Sequence, residues 1–374
     1  MADSIHSARV KKCAELMTKH DLDVLLLTKP SNMFYLTGDG RLCSYAMITS
    51  RGDVALGVPS TDIEDVAKTA VFDKIVGFED EVGMIHSIAH YFKEFGISKG
   101  SMGIENTFLT MSMQGMLTHP HAKPEQVAAK DATHLLSQLR LVKEAAEIEL
   151  MKEAARVADI GMQAAIDAVA AGVTESEVAG AAEYAMRRHG AEGFWRSYVA
   201  AGPRTNIAHG LPSNRRIESG DLVMIDIHPI VNNYSADLCR MVCAGTPSTI
   251  QQEVYDLYLQ GLLAAIAKCS NGVGMVELEN AMHDIYKAAG HKDHIFGPAI
   301  HGTGIDFEEA PLPPGHAFFH GEKAPDPLQT NTVIAVGNCG LYCGSWGIRI
   351  EDTVAVGAAE PVVLTNYPRE LVRK

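Results

Sequence analysis

Apolar positions recur at two periods along this chain, and the way they are grouped divides it into two parts. Residues 4–20 carry Val10, Cys13, Ala14 and Met17 on one stripe, the spacing of an amphipathic helix. The run DVLLLT at 23–28 is short, continuous and apolar, and it ends at Lys29-Pro30, as a buried strand does. Similar runs at 45–49, 54–58 and 102–105 predict further strands, and 84–95 predicts a helix among them. Alternation of this kind implies a layered α/β domain.

A turn-rich stretch at 120–124 closes that part. Residues 135–142 lead into a long helix, with Ile148, Met151, Ala155, Met162, Ile166 and Val169 recurring at threes and fours and Gly172 ending it. Thr174 and Glu177 have the spacing of a capping box for a second helix reaching about residue 189. The boundary is placed near 140, giving domains 1–140 and 141–374. Beyond Phe194 the elements come in blocks: strands at 222–227 and 235–243, helices at 250–268 and 276–289, then strands at 332–336, 347–350 and 353–356. Blocks of this kind predict an α+β domain rich in antiparallel pairing.

With 374 residues, 47% hydrophobic and 21% charged, there is apolar mass for two cores. The net charge of -14 argues against nucleic acid and anionic membrane as partners. No apolar stretch approaches the length of a membrane span, and the opening MADSIHSARVKK lacks the apolar core of a signal peptide. Cys13, Cys43, Cys239, Cys243, Cys269, Cys339 and Cys343 are odd in number and scattered, without a CxxC, which fits a reducing cytoplasm. Cys339 and Cys343 are expected as small buried hydrophobes rather than reactive thiols. A P-loop, a GxGxxG turn and a GxSxG elbow are all missing; the segment around Ser345 reads CGSWG.

The candidate chemistry lies in GDLVMIDIHPIVNNYSADLCR. Asp226 closes an apolar strand and Asp237 follows 11 residues later, so a hairpin can bring the carboxylates face to face. Carboxylates in apolar surroundings need a cation or a donor. Two of them with an imidazole suit Mn, Fe, Co or Zn. His228, two residues after Asp226, points to the same face, as an extra ligand or a supporting group. AGPRTNIAHG adds His209, HGTGIDFEEAP adds His301, and GIRIEDTV puts Arg349 and Glu351 on one face of a strand.

These segments resemble the pita-bread metallohydrolases, the family of methionine aminopeptidase, aminopeptidase P, prolidase and metal-free creatinase. The N-terminal ARVKKCAELMTKHDLDVLLLTKPSNMFYLTG and the later LRLVKEAAEIELMKEAARVADIGM are similar to the two-domain members, so the likeness spans nearly the whole chain. It implies an α+β pita-bread C-terminal domain behind an α/β creatinase-type N-terminal domain, and a homodimer. It implies Asp226, Asp237, His301 and Glu351 as metal ligands, with Asp237 and Glu351 bridging a pair of ions. His209 would steady the substrate and its tetrahedral intermediate. The implied reaction is attack of a metal-bound hydroxide on the carbonyl of a short peptide, of the Xaa-Pro type.

Two positions depart from the family pattern. Where the family has Val-Glu-Pro-Gly-x-Tyr, Asn338 stands in place of the glutamate, which there is both ligand and proton shuttle; an amide coordinates weakly and carries no proton. One or two ions are therefore expected, the one near His301 held less firmly. In the segment matching GLDxHExP, Glu308 replaces a substrate-contacting histidine, which suits a cationic group on the substrate, with Arg349 able to meet a carboxylate at the other end. These departures leave two other readings: a hydrolase or lyase of a small cationic or zwitterionic molecule, creatinase-like, and a non-catalytic peptide-binding descendant.

Overall fold

The computed structural model describes residues 5–314 and 327–374. Two compact units divide the chain, one running to Arg140 and the next beginning at Leu141. The first residue of the expected opening helix, Ser4, lies outside the described residues; the helix is seen at Ile5–Lys19 with Val10, Cys13, Ala14 and Met17 buried.

The first unit is built on a six-stranded mixed sheet. Its strands, in sheet order, are Lys74–Phe78, Val54–Pro59, Tyr45–Thr49, Val24–Leu27, Lys99–Ile104 and Gln126–Asp131. The two central pairings around Tyr45–Thr49 are antiparallel and the outer ones parallel. Val24, Leu26, Tyr45, Met47 and Met102 form a buried cluster with Ile88, Tyr91 and Phe92 of helix Glu81–Glu94. A helix at Pro30–Thr37 was not expected; its proline occupies the first turn, where a missing N–H costs nothing.

The stretch from 135 that leads into the long helix is a helix of its own, so two helices stand here. One ends at Leu141 and the other is Ala145–Ala168. Glu147 accepts from the Glu144 N–H at 2.9 Å and starts the second helix afresh. The expected Thr174 cap holds: its hydroxyl accepts from Glu177 N–H and opens helix Glu175–Arg188.

Helix Ala145–Ala168 packs on strands Leu222–Val231 and Leu238–Cys243, which pair antiparallel and continue the sheet to Gly193–Ala201 on one side and Val372–Arg373 on the other. Helices Thr249–Ile266 and Met275–Ala288 cover a second, four-stranded sheet: Ile300–Gly302, Val333–Val336, Asp352–Ala355 and Val362–Val363. A smaller sheet joins Ile295–Phe296, Gly340–Tyr342 and Gly347–Ile348. Tyr258 and Tyr286 stack at 5.4 Å inside the core between these helices and strands. Among the described residues, no helix is long and apolar enough to cross a membrane.

A bridge between residues 239 and 351 joins the two larger sheets. The N–H of Glu351 donates to the Cys239 carbonyl at 3.1 Å, and the N–H of Cys239 to the Glu351 carbonyl at 3.2 Å. Arg240, fully buried, locks this junction. It donates to the Cys239 and Glu351 carbonyls (2.8 Å each), to Asp352 (2.7 Å) and to the carbonyls of Tyr367 and Pro368.

Candidate metal centre

Side chains alternate along strand Leu222–Val231, so Asp226 and His228 leave it on one face. The hairpin does not set the two aspartates directly opposite. Asp226 pairs with Cys239, which puts Asp237 two residues further on, level with His228. His228 Nε2 is therefore shared, 3.1 Å from Asp226 Oδ1 and 3.3 Å from Asp237 Oδ1. Its Nδ1 lies 2.9 Å from the Arg196 carbonyl. A carbonyl only accepts, so Nδ1 carries a proton and Nε2 is the atom offered to the cluster.

His301, on strand Ile300–Gly302, is fixed in the same manner. Its Nδ1 is 3.0 Å from the Gly302 carbonyl, and its Nε2 is 3.3 Å from Asp237 Oδ2 and 3.8 Å from Glu351 Oε1. Glu351 is delivered by the bridge to Cys239. The Thr353 hydroxyl holds the backbone of Asp237, accepting from its N–H at 2.8 Å and donating to its carbonyl at 2.9 Å.

Two overlapping groups of ligand-type atoms result, Asp226–His228–Asp237 and Asp237–His301–Glu351, the atoms within each lying no more than 4.8 Å apart. All five residues are at most 1% exposed. Asp226 Oδ1, both Asp237 oxygens, His301 Nε2 and Glu351 Oε1 have no hydrogen-bond partner among the described residues. Buried polar atoms are rarely left so, and a convergent set of them fits a cation. Around this centre stand Trp195, Tyr198, His209, Phe307, Glu308 and Asn338.

Residues 149–358, more than half of the chain, match the family model of Metallopeptidase family M24. The chain belongs to that family. Residues 9–142 match the Creatinase/Prolidase N-terminal domain. The chain is 29% identical over 368 residues to an Xaa-Pro dipeptidase of Pyrococcus furiosus, covering 97% of this chain and 99% of that protein. Among solved structures it resembles an Xaa-Pro dipeptidase from Bacillus anthracis (TM-score 0.88, 26% identity, 99% and 100% of the two chains). It also resembles the prolidase from Pyrococcus horikoshii OT3 (TM-score 0.86, 28% identity, 98% and 100%). The expected two-domain pita-bread architecture stands, and so does the reading as a metallohydrolase over the two alternatives.

The electrostatics of this M24 centre are those of a site short of positive charge. Burial raises the Glu351 carboxyl, and Asp237 raises it further, well above the usual carboxylate range. Burial would lower both imidazoles, but the aspartates outweigh it: His228 is raised well above its ordinary value and His301 is pushed up to about 9. Burial would likewise raise Asp237, but the two histidines hold it below the usual range. A divalent ion held by these residues would supply the positive charge that the cluster lacks.

Each sequence-predicted site residue has a definite place. Asp226, Asp237, His301 and Glu351 converge. Asn338 lines the same pocket from the end of strand Val333–Val336. Arg349 is buried in an ion pair with Asp226, so a ligand-type carboxylate already occupies it. His209 is exposed at the pocket mouth, its ring 5.5 Å from Tyr198. Partial desolvation, then Arg349, lowers its pKa, which favours the neutral imidazole.

Sequence reasoning missed the aromatic wall. Trp195 stacks on Phe307 at 4.2 Å, and Phe307 meets the His228 ring edge-on at 4.4 Å. Neither residue carried a periodic signal; only the third dimension puts them together. Cys339 is buried, as expected, and its thiol is pushed up to about 12 by burial.

Proposed function

We propose that this chain is a metal-dependent peptidase for short Xaa-Pro peptides, with Asp226, Asp237, His301 and Glu351 as its ligands and His228 Nε2 as an added nitrogen ligand. The observation that carries this reading is the convergent set of buried carboxylate and imidazole atoms that have no hydrogen-bond partner among the described residues, in a chain that matches Xaa-Pro dipeptidases over nearly its full length. A divalent ion bound there supplies Lewis acidity and a water that ionises near neutral pH.

The other residues orient the substrate around that centre. His209, neutral at the mouth, donates an N–H to the scissile carbonyl oxygen as charge develops on it. Glu308 lines the pocket without belonging to either ligand group. It pairs with the substrate's ammonium. Arg349 holds Asp226 in its ligating position. The wall of Trp195 and Phe307 excludes water from the face of His228.

Purified protein supplied with Mn2+ or Co2+ is expected to hydrolyse Ala-Pro, to leave Ala-Ala essentially uncleaved, and to lose activity with a chelator. Release of free proline measures it. No proline release with any of Mn, Co, Zn or Fe would overturn the reading.

The ligand set also predicts stoichiometry. The Asp226–His228–Asp237 end keeps its carboxylates, whereas the His301 end has an amide at Asn338. One ion is held tightly and a second weakly. Asn338→Glu is expected to raise tight manganese occupancy from about one to about two ions per chain. Elemental analysis after desalting measures this, and unchanged occupancy would show that Asn338 does not stand at a ligand position.

A further inference from the structure

Away from this centre, three other ligand-type side chains meet beside the small sheet. His291 Nδ1 is 3.0 Å from His294 Nδ1, Cys343 Sγ is 3.9 Å from the same His294 nitrogen, and the three ligand atoms all lie within 4.8 Å of one another.

The backbone brings them together. Lys292–His294 is a 3-10 turn, which places residues three apart on one side, here His291 and His294. His294 runs directly into strand Ile295–Phe296, which pairs antiparallel with Leu341 and Gly340. The opposing strand therefore carries Cys343 past the turn. Cys343 opens a tight hairpin, its N–H donating to the Trp346 carbonyl at 2.8 Å, with Gly344 in the left-handed region at φ 85. The Gly344 N–H is anchored by Asn206 Oδ1 at 3.0 Å.

We propose that His291, His294 and Cys343 form a second, separate metal site for a borderline divalent ion of the zinc type, with water as the fourth ligand. In a tetrahedral site with such ligands the donor atoms stand about 3.3–3.6 Å apart. The observed 3.0 and 3.9 Å bracket that separation for two of the three pairs, and the third pair lies within 4.8 Å. All three residues are partly exposed, which admits both the ion and its water. A thiolate with two imidazoles selects zinc, cobalt or copper over magnesium, calcium or manganese; the carboxylate-rich centre at Asp237 accepts manganese as well as cobalt and zinc. Binding is an exchange of protons for metal. The Cys343 thiol proton goes to solvent, the proton between the two Nδ1 atoms is replaced by one on Nε2 of the same ring, metal–sulfur and metal–nitrogen bonds form, and nothing is oxidised or reduced. A hydrogen bond between the two imidazoles accounts for the 3.0 Å separation equally well, and it involves no thiolate.

Cobalt distinguishes the two. Titration of the full chain with Co2+ is expected to produce the near-ultraviolet thiolate-to-cobalt charge-transfer band, which oxygen and nitrogen ligands do not give. Cys343→Ser should abolish the band while cobalt still binds the Asp237 centre, read by elemental analysis. Asp237→Ala should retain the band. His294→Ala should weaken the band-forming site by about 100-fold or more. Cobalt uptake without the band, or a band that survives Cys343→Ser, would overturn the proposal.

Discussion

Asp237→Ala is expected to leave purified, manganese-loaded protein with less than about 0.1 manganese ion per chain and to lower Xaa-Pro hydrolysis by about four orders of magnitude or more. Asp237 is the residue common to both groups of ligand atoms, and both its oxygens are buried without a hydrogen-bond partner among the described residues. Removing it strips one ligand from each end of the centre at once, whereas Asp226 or His301 would each affect one end. The fold should survive, because Thr353 secures the backbone of residue 237 through its N–H and carbonyl and not through the side chain. Elemental analysis with near-ultraviolet circular dichroism reads both halves. A well-folded variant that still carries one ion per chain would show that the carboxylates of Asp226 and Glu351 suffice.

Arg240→Met acts on the fold of the same region and is expected to cost about 3–5 kcal/mol, a fall of hundreds- to thousands-fold in the folding equilibrium. The side chain is among the largest that are fully buried, and its guanidinium contacts four backbone carbonyls and Asp352. Methionine fills much of the volume but takes the guanidinium donor away from all four carbonyls. Among the described residues, the Asp352 side chain would keep Arg369 and the Thr365 hydroxyl. Two of those carbonyls, Cys239 and Glu351, would be held by the bridge N–H groups alone, and this bridge delivers Glu351 to the centre, so metal affinity should fall along with stability. Urea denaturation followed by tyrosine and tryptophan fluorescence measures the first effect. An unchanged midpoint would mean that the network only fixes geometry.

Much of this was legible in the sequence, but unevenly. The stripe of Ile148, Met151, Ala155, Met162 and Ile166 was readable because a long helix facing a sheet repeats its pattern many times. The break ahead of Ala145 was not, because a start made by Glu144 and Glu147 lacks the serine or threonine that marks most helix starts. Strand Gly193–Ala201 escaped because Trp195 and Arg196 are exposed side by side and interrupt the alternation. Local pattern exposed Asp226, His228 and Asp237, which share a hairpin. It could not link them to His301 or Glu351, which join only through the bridge at Cys239; their order along the chain, matched to a family, made that link. The position of Arg349 shows the limit from the other side: the charge was visible, but its partner Asp226 was 123 residues away.

The irregularity in strand Gly193–Ala201 carries a further meaning. Phe194 pairs with Pro229 and Ser197 with Ile227, so Trp195 and Arg196 together face the single residue His228. The carbonyl that fixes the proton on His228 Nδ1 belongs to this extra length of chain. Were one of the two residues deleted, the strand would close up into regular pairing, with Phe194 still opposite Pro229 but the bulge, and the carbonyl it turns toward His228, gone. The amide frame, rather than any side chain, would then no longer dictate which nitrogen of the imidazole is left bare. The choice of tautomer at the centre is thus written into the chain as a length, and insertions or deletions at 195–196 would alter it even with every ligand residue intact.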